Sequence, residues 1–204
     1  MKNKRTTESG FSLLELMIAM TITLVLLAIV TTLLSGSMSI KERESAKTDA
    51  LTSAQAAIYV LSREIANAGF GLTNNGIVAA DSNVNQVHFR MNTDNSDMST
   101  QAVGEDLTYY FEPTTQSIVR YDRNAGTTTS TVVNGISNVT FQYFNYVSGS
   151  STATQVATPN ADTGRIRINV VVNLADVQGQ PSNQTVRYTT DVTLRNATYM
   201  RKRY

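Results

Sequence analysis

Few side chains in this 204-residue sequence stand in patterns that could do chemistry. The single histidine, His88, sits beside Phe89 in an alternating stretch, with no second cluster of ligands at metal-binding spacing near it. It reads as a histidine on the polar face of a strand. No Ser-His-Asp order and no glycine-rich phosphate loop is visible. Asp94-Asn95-Ser96-Asp97, with Glu105 and Asp106 nearby, offers calcium-type oxygen atoms but lacks the spacing of an EF-hand loop, so it reads as a solvated acidic loop. Cysteine is absent, which excludes disulfides and thiolate metal sites. The expectation is a non-enzymatic chain with no cofactor and no metal. One residue is out of place. From Phe11 to Leu34 the only charge is Glu15, inside a run long enough to cross a bilayer as one helix, since about 20 apolar residues at ~1.5 Å each cover the ~30 Å hydrocarbon core. A carboxylate at the centre of such a helix costs roughly 2.5–3.5 kcal/mol or more. An acid carried there implies a partner.

The residues around that acid carry a resemblance. Gly10-Phe11-Ser12-Leu13-Leu14-Glu15-Leu16-Met17-Ile18-Ala19-Met20, behind a short basic leader, resembles the cleavage and methylation segment of type IV prepilins and type II secretion pseudopilins. The resemblance implies that a prepilin peptidase cuts between Gly10 and Phe11 and methylates the new amino group of Phe11. It also implies that Glu15, the fifth mature residue, serves assembly. The inferred mechanism pairs Glu15 of one subunit with the N-terminal cation of a neighbour, while Leu13, Leu14, Leu16 and Met17 begin the apolar packing face. Head-to-tail contacts of this kind build an open helical filament.

Charge agrees with that topology. The whole chain has 17 basic and 16 acidic side chains, and removing Lys2, Lys4, Arg5 and Glu8 with the leader leaves a net charge of −1. No basic field is present to attract nucleic acid. The positive leader ahead of the apolar run predicts a single-pass inner-membrane protein with its leader in the cytoplasm and the rest in the periplasm. A secretory signal would be cut after its apolar region, whereas the cut implied here precedes it, so the anchor stays.

Positioning falls to the elements that follow. Leu51, Ala54, Ile58, Leu61, Ile65 and Ala68 recur at steps of three and four, one face of an amphipathic helix that Gly69 and Gly71 should stop. A single helix from about Phe11 to Ala68 is expected, with Gly36 as a weak point and with Thr21, Thr23, Thr31 and Thr32 tolerated through bonds to helix carbonyls. Beyond Gly71 the period becomes two: Val87, Phe89 and Met91; Leu107–Phe111 and Ser117–Tyr121 around a Pro113 turn; Thr131–Val133; Val139, Phe141 and Tyr143. The alternation is cleanest in Ile166, Ile168, Val170, Val172 and Leu174 and in Val186, Tyr188, Thr190, Val192 and Leu194, each expected to form a strand with one buried face. Ser148 to Gly164 shows no periodicity and reads as a mobile loop.

The expected fold class is α+β, a long N-terminal helix laid on an antiparallel sheet in the manner of a pilin. The expected division is a leader over 1–10, a membrane and assembly helix over 11–35, an amphipathic continuation over 36–71 and a sheet domain over 72–204. Arg63–Gly71, the tyrosine-rich hairpin, Gly135–Val139 and Leu194–Asn196 are similar to segments of W-type minor pilins and J-type pseudopilins. Many pilins carry a C-terminal disulfide loop, from which this cysteine-free chain departs. The resemblance therefore implies a minor type IV pilin that initiates or caps a pilus, or a J-type pseudopilin. The partners implied are the prepilin peptidase, other major and minor pilins or pseudopilins, the inner-membrane assembly platform and the lipid bilayer. A function of another class, a membrane-anchored extracytoplasmic binding module, stands beside these.

Overall fold

The computed structural model describes residues 10–94, 99–147, 151–174, 176–177 and 181–201. Its first element, α1, is one α-helix of 53 residues, Leu13–Ile65. At ~1.5 Å per residue it is about 80 Å long. It passes through Gly36 without interruption. The four threonines behave as their chemistry requires: Thr21, Thr23, Thr31 and Thr32 each donate a hydroxyl to a carbonyl three or four residues back, at 2.7–3.2 Å. The hydroxyls are thereby satisfied within the helix itself.

The two halves of α1 differ in what covers them. No residue before Ala50 is buried, whereas Ala50, Ala54, Ala57, Ile58, Leu61 and Ile65 are. Of the predicted face, Leu51 is only half-buried and Ala68 lies past the helix end. Ala50, Ala54 and Ala57 let the backbone approach the strands closely, and Ile58, Leu61 and Ile65 fill the space between, each burial contributing roughly 1.5–3 kcal/mol. Arg195 N–H donates to the Ala66 carbonyl at 3.1 Å, and the Asn196 side chain donates to that of Ala68, also at 3.1 Å. The C-terminal segment thus satisfies carbonyls that the helix end leaves unpaired.

The strands form two four-stranded antiparallel sheets rather than one. Sheet A is β1 (Gln86–Arg90), β2 (Asp106–Glu112), β3 (Ser117–Asp122) and β4 (Thr129–Asn134), in sequence order. Sheet B comprises β5 (Asn138–Tyr146), β6 (Ala153–Val156), β7 (Thr163–Asn173) and β8 (Thr185–Thr193), in the order β6-β5-β7-β8. The chain changes sheets at Gly135-Ile136-Ser137. Gly135 takes φ +75°, Ile136 is fully buried, and the Ile136 and Ser137 amides donate to Gln116 in the turn before β3 and to Val171 in β7. That crossover ends one meander and starts the next. A 3-10 turn, Ala79–Asp81, precedes β1, and a short helix α2, Thr198–Arg201, ends the described chain.

Two expectations are corrected. The stretch Ser148 to Gly164 is not a structureless loop: it contains β6, paired with β5 through Tyr143↔Val156 to Tyr146↔Ala153, and the start of β7. β6 is an edge strand with Thr154 and Gln155 exposed, so it needs backbone partners more than an alternating apolar face. β8 is the opposite edge, and of its expected inner face only Val192 and the following Leu194 are buried, while Val186, Tyr188 and Thr190 are half-covered. In β7, buried between β5 and β8, the alternation is complete.

Where α1 ends, the backbone doubles back on itself. Gly69 and Gly76 have φ of +76° and +74°; Gly69 N–H donates to the Arg90 carbonyl and Arg90 N–H to the Gly76 carbonyl. A Cβ on Gly76 would collide with the Gly69 nitrogen and the Arg90 carbonyl, so only glycine permits this approach.

Candidate assembly site

The sequence-selected residues cluster at one end of α1, far from the folded domain. Gly10 is exposed ahead of the helix, and Phe11 is 84% exposed. Ser12 occupies the N-cap position, where its carbonyl accepts the amides of Glu15 and Leu16 at 3.0 and 3.1 Å. Glu15 stands in the first turn, where a carboxylate is favoured by the helix dipole. Leu13, Leu16 and Met17 share one side of the helix by their spacing of three and four, Leu14 sits about 100° away, and Glu15 projects from the opposite side. Among the described residues the Glu15 carboxylate has no hydrogen bond or ion pair. Glu15 lies about 50 Å along the helix from Ala50, the first buried residue. Between Leu13 and Leu34 every residue is exposed, including each large apolar one. This stretch is long and apolar enough to cross a membrane.

The remaining polar groups are placed by the sheets. His88, expected on the polar face of a strand, is on the face opposite Phe89 and is buried. Its Nδ1 lies 3.0 Å from Asp81 in the 3-10 turn and its Nε2 2.6 Å from Asp106 on β2, which also accepts from Arg90 Nε at 2.9 Å. The acidic loop is corrected similarly. Glu105 and Asp106 are buried rather than solvated: Glu105 accepts the amides of Thr93 and Asp94 on one oxygen and of Ala102 on the other. Asn95, Ser96 and Asp97 lie outside the described residues. Among the described residues no group of three or more histidine or acidic side chains is arranged to hold a metal ion.

A second network escaped the sequence because Glu64 stands 45 and 56 residues from its two partners. Glu64 on α1 accepts from Tyr109 OH on β2 at 2.8 Å and from Arg120 Nε on β3 at 3.1 Å, and Arg120 also reaches Asp122 at 3.3 Å. Burial, reinforced by the Glu64 carboxylate, pushes the Tyr109 hydroxyl well above the ordinary tyrosine range, so it remains a donor. For Arg120, burial pulls downward, but Glu64, Tyr109 and Asp122 outweigh it and hold the guanidinium charged. The only sequence signal was a glutamate bordering the apolar helix face.

The N-terminal half of α1, in contrast to these buried clusters, is bare. Residues 5–31 match the family described as the prokaryotic N-terminal methylation motif. The chain carries the N-terminal segment of the type IV prepilins and pseudopilins. The match covers the leader end, Gly10, Phe11, Glu15 and most of the apolar run, and stops well before the sheets. No curated protein and no solved structure matches the chain. A prepilin segment followed by a two-sheet domain makes this a pilin-like α+β protein, and its uncovered N-terminal helix is long and apolar enough to anchor it in a membrane. The motif implies processing by a peptidase and assembly with other pilin-type subunits.

Proposed function

We propose that this chain is a minor type IV pilin, an assembly subunit that initiates or caps a filament after cleavage between Gly10 and Phe11. The observation that carries the reading is the bare half of α1. A prepilin segment leads directly into an apolar helix that its own domain leaves uncovered. Such a surface is stable in lipid before assembly, and among parallel helices of the same kind afterwards. In this reading 1–10 is the leader, 11–35 the membrane and assembly helix, 36–71 its amphipathic continuation and 72–204 the periplasmic domain. The N-terminal ammonium of Phe11, which stays cationic when monomethylated, faces Glu15 of a neighbour. At an effective dielectric near 20, a pair ~4 Å apart gains about 4 kcal/mol, part of which desolvation consumes. The pair sets register; the apolar side chains supply packing.

Mass spectrometry of native protein should find Phe11 first and methylated, and Gly10→Val should leave the leader attached. Glu15→Ala should insert and be processed, yet co-purify at least tenfold less with sheared filaments at matched membrane levels. Recovery with a membrane-retained secretion complex instead of surface filaments would identify a pseudopilin. Full function with residues 11–35 replaced by an unrelated transmembrane helix would overturn assembly in favour of a simple anchor.

A further inference from the structure

Asparagine precedes glycine twice in the sequence, at Asn75-Gly76 and at Asn134-Gly135. An asparagine in that position can cyclise through attack of the next backbone nitrogen on its side-chain amide carbon. Glycine favours the attack, because with no Cβ it leaves its nitrogen open to approach and its backbone free to turn. The fold treats the two pairs differently. Asn75 is 3% exposed; its Nδ2 donates to the carbonyls of Asn160 at 2.8 Å and Thr163 at 2.9 Å, and its Oδ1 accepts the Ile77 amide at 3.2 Å. The Gly76 amide, which would have to attack, donates instead to Asn74 Oδ1 at 2.8 Å.

Asn134 has none of these restraints. It is the exposed last residue of β4, the edge strand of sheet A, and its pairing with Ser117 ends the ladder between β3 and β4. Among the described residues neither its side-chain amide nor the Gly135 N–H makes a hydrogen bond. Gly135 is exposed, and a Cβ built on it would meet no atom within 4 Å, so the space around its nitrogen is open.

We propose that Asn134 is a site of spontaneous covalent modification whose co-reactant is water. The Gly135 nitrogen gives its proton to solvent base and bonds to Asn134 Cγ. The Cγ–Nδ2 bond breaks and ammonia leaves, closing a succinimide ring. Water then opens the ring. Cleavage between Cγ and the Gly135 nitrogen yields aspartate on an ordinary backbone. Cleavage between the Asn134 main-chain carbonyl and that nitrogen yields isoaspartate, with the chain rerouted through Cβ and Cγ. One asparagine and one water become one acid and one ammonia, and no electrons are transferred. The position matters because the chain changes sheets here. Ile136 is fully buried, and the amides of Ile136 and Ser137 donate to Gln116 beside β3 and to Val171 in β7, at 2.9 and 2.8 Å. Isoaspartate lengthens the backbone by one atom just ahead of both bonds and so loosens the join between the sheets. Aspartate changes only the charge. The inference stands independently of the assembly role.

The test incubates the full-length chain, purified in detergent, at mildly alkaline pH in water enriched in heavy oxygen, followed by peptide mapping with mass spectrometry. The Asn134 peptide should turn from amide to acid with one heavy oxygen incorporated, and should resolve into aspartyl and isoaspartyl forms. Asn75, whose hydrogen bonds must break first, should react at least about tenfold more slowly. Asn134→Gln, which needs a larger ring, should stay unmodified. Hydrogen exchange at Ile136 and Ser137 should be at least about tenfold faster in the isoaspartyl form than in the native chain. In Asn134→Asp, which adds the charge alone, it should be unchanged. Modification of Asn134 no faster than that of Asn75, or a product without the label, would overturn the site. Equal protection of Ile136 and Ser137 in the isoaspartyl and native chains would overturn its effect on the join.

Discussion

Glu64→Ala tests whether the exposed helix and sheet A behave as one mechanical unit. Glu64 Oε2 accepts from Tyr109 OH at 2.8 Å and from Arg120 Nε at 3.1 Å, and is the polar tie from α1 into β2 and β3. Removing one partner of a fully buried ion pair costs about 3–5 kcal/mol, whereas an exposed pair is worth about 0–1 kcal/mol. The Glu64 and Arg120 side chains are 21% and 24% exposed, and Arg120 keeps Asp122 at 3.3 Å. An intermediate figure of about 2 kcal/mol therefore applies to the charge pair. The hydroxyl of Tyr109, a fully buried residue, loses its acceptor, adding about 1 kcal/mol. The sum is a loss of about 3 kcal/mol. Tyr109→Phe leaves Glu64 with Arg120 and should cost only about 1 kcal/mol. In the double variant the Tyr109→Phe cost should largely disappear, giving a coupling of about 1 kcal/mol. The assay is urea unfolding of the chain in mild detergent, followed by tyrosine near-ultraviolet circular dichroism. A loss below about 0.5 kcal/mol for Glu64→Ala, or strictly additive costs, would refute the reasoning and remove the Glu64 network as an attachment of α1 to sheet A.

Two further outcomes follow from local geometry. Gly76→Ala forces a Cβ against the Gly69 nitrogen and the Arg90 carbonyl at positive φ, so the turn joining α1 to β1 must open. Thermal melts should show a loss of about 3 kcal/mol or more, and a native-like melting temperature would disprove the close approach. The Asp191 carboxyl is held below its ordinary range, first by the hydrogen bond from Arg167 and further by the charges of Arg167 and Arg165. A group depressed in the folded state stabilises above its unfolded value and loses that contribution as pH falls through the lowered one. Asp191→Asn should therefore cost up to about 1 kcal/mol at neutral pH, given the exposure of the pair, and the difference should close below about pH 4. A cost that does not change across that range would remove the ion pair as its cause.

Some of this molecule is written in short stretches of sequence. The segment from Gly10 to Met20 and the apolar run to Leu34 are linear patterns, and they were enough to indicate a prepilin-type helix. The steps of three and four from Ala54 to Ile65 marked the side of α1 that meets the sheets, because helix periodicity is local. The hairpin of β2 and β3 and the alternation in β7 were legible for the same reason. Tertiary structure decided the rest. β6 carries no apolar period, since as an edge strand it is held by its hydrogen bonds to β5. β8 alternates like β7 yet buries only Val192, because the topology leaves it at the edge of its sheet, which no property of β8 contains. His88 read only as a polar-face residue, and its partners Asp81 and Asp106, from two other elements, closed over its ring nitrogens in the fold. Glu64, Tyr109 and Arg120 met only through packing. A sequence states which faces must be covered; which residues cover them depends on contacts between segments far apart in the chain, and those arise only when the whole domain closes on its core.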